Sequence, residues 1–255
     1  MAVDEAILNA VDKGEGSPTL RLYAWDPPCL SLGYAQPIRD VDRDRLEKYG
    51  WDLVRRPTGG RAILHTDELT YAVIGPANEP RLAGTILESY KRLAAGLQNA
   101  LERLALPAQS SVLDNSSRQA DRLEPVCFEI PGNYEITVNG KKLMGSAQAR
   151  KKAGVLQHGT LPLSGDLTRI TWTLQYPDQA ARENAGIRLL DKATTVESSL
   201  GRRVDWDTAA GAFCSAFMGT LNVTLVPGEL SQHEHEQALE LIRKKYGNPA
   251  WNARI

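Results

Sequence analysis

Tyr134-Glu-Ile-Thr-Val138, Asn139-Gly140 and Lys141-Lys-Leu-Met-Gly-Ser-Ala-Gln148 read as two strands joined by a two-residue turn. Asn-Gly between alternating runs is a strong hairpin signal, because both residues accept the positive φ that such a turn requires. A turn at Asn139-Gly140 pairs Val138 with Lys141, Thr137 with Lys142 and Ile136 with Leu143. Side chains alternate across a strand. Tyr134, Ile136, Val138 and Leu143 are therefore expected on one face, and Glu135, Thr137, Lys142 and Met144 on the other. Lys142 then points away from the apolar face, and Lys141 points the opposite way.

Just upstream, Val126-Cys-Phe128 puts a cysteine ahead of the hairpin. Pro131-Gly132 interrupts the intervening strand, so alternation does not place Cys127 relative to Lys142. Read alone, Cys127 is a small buried hydrophobe and Lys142 a solvated edge-strand lysine. Together, a thiol, a fixed cation and a run of small residues rich in backbone donors are the parts needed to accept an acyl group and pass it on.

Working outward, residues 2–11 and 41–49 read as helices and residues 21–25, 30–34, 52–56 and 69–74 as short strands, rich in β-formers. Between the last two lies a Pro-Thr-Gly-Gly turn, then Arg61-Ala-Ile-Leu-His65. Ile86, Tyr90, Leu93, Leu97, Leu101 and Leu104 recur at helical spacing, and Pro107 closes that helix. Residues 108–124 are polar and read as a mobile surface loop, and residues 154–163 as a further strand. Beyond about residue 166 the character turns helical, with helices expected over residues 208–221 and 231–246. The second opens on a capping box, Ser231 to Glu234. The expected organisation is a main catalytic part over residues 1–165 and a smaller helix-rich part over residues 166–255. The fold class is α/β (α+β), a mixed sheet flanked by helices.

The 255 residues are 42% hydrophobic, enough for a sizeable core. A formal net charge of −1 argues against a nucleic-acid binder that works through bulk basicity. Cys29, Cys127 and Cys214 are distant and odd in number, which suits a reducing cytoplasm better than a disulfide framework. No apolar run reaches the roughly 18 residues needed to span a bilayer. No basic-then-apolar leader opens the sequence. A soluble, cytoplasmic protein without a membrane partner is expected. His233 and His235 point to different faces of their helix, and with no Cys/His cluster no metal site is expected. The Gly59-Gly60 turn lacks the Gly-Lys-Ser/Thr ending of a P-loop. Cys29 and Cys214 read as inert packing residues.

Several segments together resemble the biotin/lipoate protein ligase and transferase superfamily. Arg55-Arg-Pro-Thr-Gly-Gly-Arg-Ala-Ile-Leu-His65 with Asp67-Glu-Leu-Thr-Tyr71 resembles its glycine-rich substrate loop. Gly140-Lys-Lys-Leu-Met-Gly-Ser-Ala-Gln148 resembles its lysine motif, and His158-Gly-Thr-Leu161 the strand that follows. Val126-Cys-Phe128 is closer to the cysteine-dependent octanoyltransferases of the LipM type than to the ATP-using lipoate ligases. The likeness runs through Lys245-Tyr-Gly-Asn-Pro-Ala-Trp-Asn252. One departure is that Met1-Ala-Val-Asp-Glu-Ala resembles a segment that members usually precede with a strand, so one sheet edge is expected to lack it.

The resemblance implies a reaction: octanoyl moves from acyl carrier protein to a lysine of a lipoyl domain, such as glycine cleavage H protein. No cofactor is implied, and a monomer is expected. Cys127 would be the nucleophile. A lysine of pKa ~10.4 is neutral in only about one part in 2,500 at pH 7, so a thiol divides a slow aminolysis into two easier steps. An unperturbed thiol is only about 3% thiolate at pH 7, and Lys142 as a nearby ammonium would raise that fraction. The resemblance places the acyl group against Arg56, Thr58, Gly59, Gly60, Arg61, Ala62 and His65, and against Gly145, Ser146 and Ala147. Backbone N–H groups of either glycine-containing loop could serve as oxyanion donors. An apolar tunnel there would gain roughly 5–6 kcal/mol from an octanoyl chain. Arg55, Arg56, Arg61, Lys141, Arg150, Lys151 and Lys152 could form a basic rim for acidic partners. His65 and His158 read as hydrogen-bonding structural residues.

Three other readings share these residues. An ATP-dependent lipoate–protein ligase would have no need of Cys127. An octanoyl amidotransferase acting between H protein and other lipoyl domains would use both Cys127 and Lys142. A non-catalytic binding protein on the same fold would be expected to have lost one of them.

Overall fold

The computed structural model describes residues 1–111, 126 and 135–255. Helix α1 (Ala2–Asp12) precedes strands β1 (Thr19–Tyr23) and β2 (Cys29–Leu32); helix α2 (Arg43–Tyr49) leads to β3 (Asp52–Arg55), β4 (Ile63–His65) and β5 (Glu68–Pro76). Helix α3 (Ile86–Arg103) is followed by β6 (Ala108–Ser111), β7 (Glu135–Val138), β8 (Lys141–Arg150) and β9 (Gly154–Pro162). Then come helices α4 (Gln179–Lys192), α5 (Val196–Leu200), α6 (Trp206–Leu221), α7 (Gln232–Leu241) and α8 (Pro249–Asn252). A 3-10 segment, Leu167–Thr173, precedes α4, and a π-helical stretch, Ile242–Tyr246, follows α7.

Among the described residues the strands form two sheets. The larger is antiparallel in the order β1-β5-β9-β8-β7-β6, and the smaller runs β3-β2-β4 with β2 and β3 parallel. The expected mixed sheet flanked by helices is what the chain forms. Residues 108–111, whose polar wording predicts a loop, instead form β6, an edge strand paired with β7. Tertiary pairing overrides the Gln-Ser-Ser composition there.

The hairpin turn forms as expected: Asn139 and Gly140 both adopt the left-handed region, with φ of 51° and 77°. Val138 pairs with Lys141 and Thr137 with Lys142, but Ile136 pairs with Met144. Leu143 is the extra residue of a β-bulge, where two residues of one strand oppose one of the other. This corrects the expected faces. Leu143 and Met144 are both buried in the core with Ile136 and Val138. Lys142 keeps the face of Glu135 and Thr137. Beyond the bulge, alternation puts Gly145 and Ala147 opposite Met144, so they share the face of Lys142.

One face of the larger sheet packs on α3 and α6 through Tyr71, Leu93, Leu97, Leu101, Leu161, Phe213 and Phe217. Burying a phenylalanine such as Phe213 stabilises by about 2–3 kcal/mol. α3 begins on a full capping box, Thr85 with Glu88. The box expected at Ser231 and Glu234 also forms. On the sheet's other face, Ile7, Leu8 and Val11 of α1 cover Ala72, Ile74 and Leu156. The smaller sheet closes beside α1 and packs on the Leu167–Thr173 segment and α4 through Leu30, Leu32, Ile63, Ile170 and Leu189. The 14-residue α4 is an addition to the helices that the sequence pattern predicts. Its apolar positions are few, and Asp178 caps it.

Candidate active site

Between the two sheets lies a partly open cavity, about 410 Å³ with the open solvent at its mouth included. Arg56, Gly59, Gly60, His65, Gly145, Ser146 and Ala147 line it. Two sequence segments some 80 residues apart thus meet around one space. Thr58, Arg61, Ala62 and Lys142 are not among its lining residues, although Thr58, Ala62 and Lys142 are buried.

The loop that forms one wall is held from within. Arg56 Nη1 donates to the Ser31 carbonyl at 2.8 Å and to Ser31 Oγ at 2.6 Å; its Nη2 donates to the carbonyls of Gly59 and Arg61. Arg56 is therefore a bracket for the loop before it is a ligand for anything else. Gly60 has a φ of 93°, which only glycine adopts without strain. Gly33 presses on it: a Cβ at residue 33 would lie 1.8 Å from the Gly60 carbonyl oxygen.

Both histidines are fixed. His65 has Ser31 Oγ on Nε2 at 2.7 Å and Glu68 Oε1 on Nδ1 at 2.6 Å, and stacks on Trp25 at 4.3 Å between ring centroids. His158 Nε2 and Thr58 Oγ1 are 2.7 Å apart. Burial pushes the His158 pKa down to about 3, with the nearby Arg56 guanidinium adding to the effect against an upward pull from Asp4. His158 is a neutral hydrogen-bonding ring at neutral pH.

Lys142 is 5% exposed, and its Nζ lies 2.6 Å from Glu135 Oε1. It is thus an ion-paired lysine and not a solvated one. The carboxylate cancels part of the ammonium's field, so its pull on a neighbouring thiol is weaker than that of a lone cation. Lys142 also contributes backbone, its carbonyl accepting from the Thr194 N–H just beyond the end of α4. Cys127 lies outside the described residues. Its neighbour Val126 is fully buried and forms a bridge with Ala62 of the glycine-rich loop.

The basic rim needs correction at Arg55 and Arg56, while Lys151 and Lys152 are exposed. Arg55 is 0% exposed. Its guanidinium donates to the carbonyls of Gly33, Tyr34, Gln36 and Asn252. Its backbone N–H donates to Asn252 Oδ1, and Trp251 Nε1 donates to its carbonyl. Arg56 is equally interior. Lys141 donates to the Leu190 carbonyl, Lys151 to Asn9 Oδ1, and Arg150 to the carbonyls of Leu82 and Gly84. Cys29 is buried, which pushes its thiol up to about 12 and leaves it unreactive.

The sequence reading missed Gly33, Thr70, Gly159 and Thr160. Thr70, Gly159 and Thr160 line the cavity, and Gly33 supports its wall. A Cβ on Gly159 would lie 2.4 Å from the Gly145 carbonyl oxygen and 2.7 Å from Tyr71 Cε1. That bare position lets the Tyr71 hydroxyl pair with Ser146 Oγ at 2.7 Å. The signal for these residues is the parity of β5 and β9 once their register is known. His158-Gly-Thr gives the residues but not their direction.

Residues 1–218 match the family model described as the lipoyl protein ligase A/B catalytic domain. The chain is 40% identical to the octanoyltransferase LipM of Symbiobacterium thermophilum, over 100% of this chain and 93% of that protein. It is 42% identical to the octanoyltransferase LipM of an Exiguobacterium species, over 98% and 92%. The bi-partite lipoate protein ligase of Thermoplasma acidophilum, studied with its E2 lipoyl domain, superimposes with a TM-score of 0.82 at 26% identity, over 99% of this chain and 89% of that one. A lipoate-protein ligase A bound with ATP superimposes at 0.79 with 28% identity, over 99% and 92%.

Proposed function

The chain belongs to the lipoyl protein ligase A/B catalytic family and is an octanoyltransferase, and we propose that it moves octanoyl from acyl carrier protein to a lysine of lipoyl domains through a Cys127 thioester. The Cys127 thiolate attacks the carbonyl of the carrier thioester, and the carrier thiolate leaves. The acceptor amine then attacks the enzyme thioester. The C–S bond breaks, an amide forms, and the amine's proton returns to the sulfur. Neither step needs ATP, because thioester exchange is near neutral and amide formation from a thioester runs downhill.

The observation that carries this reading is that the residue before Cys127 and the strand that carries Lys142 both adjoin the elements lining the cavity. Val126, one peptide bond before Cys127, is fixed against Ala62 of the loop whose Gly59 and Gly60 line the cavity. The bulge at Leu143 puts Lys142 on the face that Gly145 presents to the same cavity. Lys142, paired with Glu135, holds the reacting carbonyl or the leaving thiolate by hydrogen bonding. The acyl chain lies against Arg56, Gly59, Gly60, His65, Gly145, Ser146 and Ala147, with Thr58, Arg61 and Ala62 supporting the loop. The enzyme works as a cytoplasmic monomer, with residues 1–165 carrying the site and residues 166–255 a smaller helix-rich part.

The test is transfer from octanoyl-carrier protein to a lipoyl domain with ATP left out. Wild-type protein is expected to transfer. Cys127→Ala is expected to lose transfer, and Lys142→Met to lose most of it. Transfer that requires ATP and survives Cys127→Ala would make the protein a ligase.

A further inference from the structure

We propose that the Thr160 hydroxyl donates a hydrogen bond to the carbonyl oxygen of the bound acyl group. The proposal rests on the acyl-transfer reading above. Thr160 stands on β9, opposite Gly145 on β8 and opposite Thr70 on β5. Residues directly opposite in a ladder put their side chains on one face. Thr160, Thr70 and the bare Gly145 position therefore form a row on the cavity floor, on the same face as Lys142. With no side chain at Gly145, nothing from that position covers the Thr160 hydroxyl.

Thr160 is 1% exposed, lines the cavity, and its Oγ1 has no hydrogen-bond partner among the described residues. Its neighbours are not in that condition. Thr70 Oγ1 donates to Glu68 and accepts from Trp25 Nε1 at 2.9 Å. The Thr58 hydroxyl is held by His158. A buried hydroxyl without a partner is costly, and native structures keep one where something else completes it. An octanoyl chain carries a single strong acceptor, its carbonyl oxygen. An otherwise apolar chain in this cavity offers the hydroxyl one place to donate. The same bond strengthens as charge builds on that oxygen during attack. Thr160 thus fixes the depth at which the chain stops, with the carbonyl held near the strand that carries Lys142.

The experiment uses octanamide, which keeps the chain and carbonyl but has no thiol leaving group. Its binding is measured by calorimetry on wild type, Thr160→Val and Thr160→Ser, alongside thermal melts. The expected result is binding about tenfold weaker for Thr160→Val. Thr160→Ser stays within about threefold of wild type, because it keeps the hydroxyl. Thr160→Val melts at or above the wild-type temperature, since it replaces an unpartnered buried hydroxyl by a methyl. Equal binding by Thr160→Val, equal weakening of both threonine variants, or no octanamide binding by wild type would each overturn the proposal. The thioester reading is tested apart from this, by transfer in Cys127→Ala: wild-type transfer there would overturn that reading and leave the octanamide result standing.

Discussion

Glu135 and Lys142 face each other across the β7–β8 ladder, carboxylate oxygen to ammonium nitrogen at 2.6 Å, with both side chains nearly buried. Desolvating two charges is costly, so a buried pair stabilises chiefly against the loss of one member. Glu135→Gln should destabilise by about 3 kcal/mol in urea denaturation. The double variant Glu135→Gln, Lys142→Met should recover most of that loss and still lack transfer. A double variant as unstable as Glu135→Gln alone would show that the pair does not act as a unit.

His158 gives the fold an acid limit. Its unfolded pKa is near 6.5 and its folded pKa about 3, because burial disfavours the charged ring. The unfolded chain therefore binds the extra proton first. Stability from this residue is fully present above about 6.5 and is lost as pH falls towards 3, at about 1.4 kcal/mol per pH unit in that window. Denaturation at pH 7, 6 and 5 should show a shallower pH slope for His158→Gln than for wild type. Equal slopes would place the acid sensitivity elsewhere.

How much of this was legible in the residues depends on the range of the forces involved. The Asn139-Gly140 turn and the Ser231 cap are local, and local chemistry settles both. The bulge at Leu143 is not local. It follows from packing Leu143 and Met144 together into a core built from α3 and α6, and no alternation rule sees it. Arg55 and Arg56 read as surface cations because arginine usually is one. Their burial depends on carbonyls contributed by residues 31–36 and by Asn252. The glycine-rich loop and the Gly145-Ser-Ala147 segment are recognisable separately by resemblance, but their meeting is a property of sheet order.

Two glycines of the site should respond very differently to alanine. Gly33→Ala drives a Cβ into the Gly60 carbonyl, backbone against backbone, and has no flexible neighbour to displace. It should lower the melting temperature and weaken octanamide binding at least about tenfold. At Gly59 an added Cβ would meet nothing within 4 Å, and φ is not left-handed, so Gly59→Ala should melt within about 2 °C of wild type. Equal melting of the two variants would contradict the packing described for the loop.

The C-terminal segment acts on the site loop through Arg55. Asn252 and Trp251 satisfy the backbone of Arg55 on the open side of β3, and the guanidinium gathers four carbonyl groups. Arg55→Met should cost about 3 kcal/mol by stranding those acceptors, and Asn252→Ala about 1–2 kcal/mol. Urea denaturation checks both, and effects that simply add in the double variant would show that the two residues are not coupled.

The most direct measurement of the central claim is intact-mass spectrometry of the protein after incubation with octanoyl-carrier protein and no acceptor. A gain of about 126 Da, located at Cys127, removed by hydroxylamine and absent from Cys127→Ala, is the predicted result. Transfer to a lipoyl domain proceeding at the wild-type rate in Cys127→Ala, with no such adduct on the wild-type chain, would contradict it.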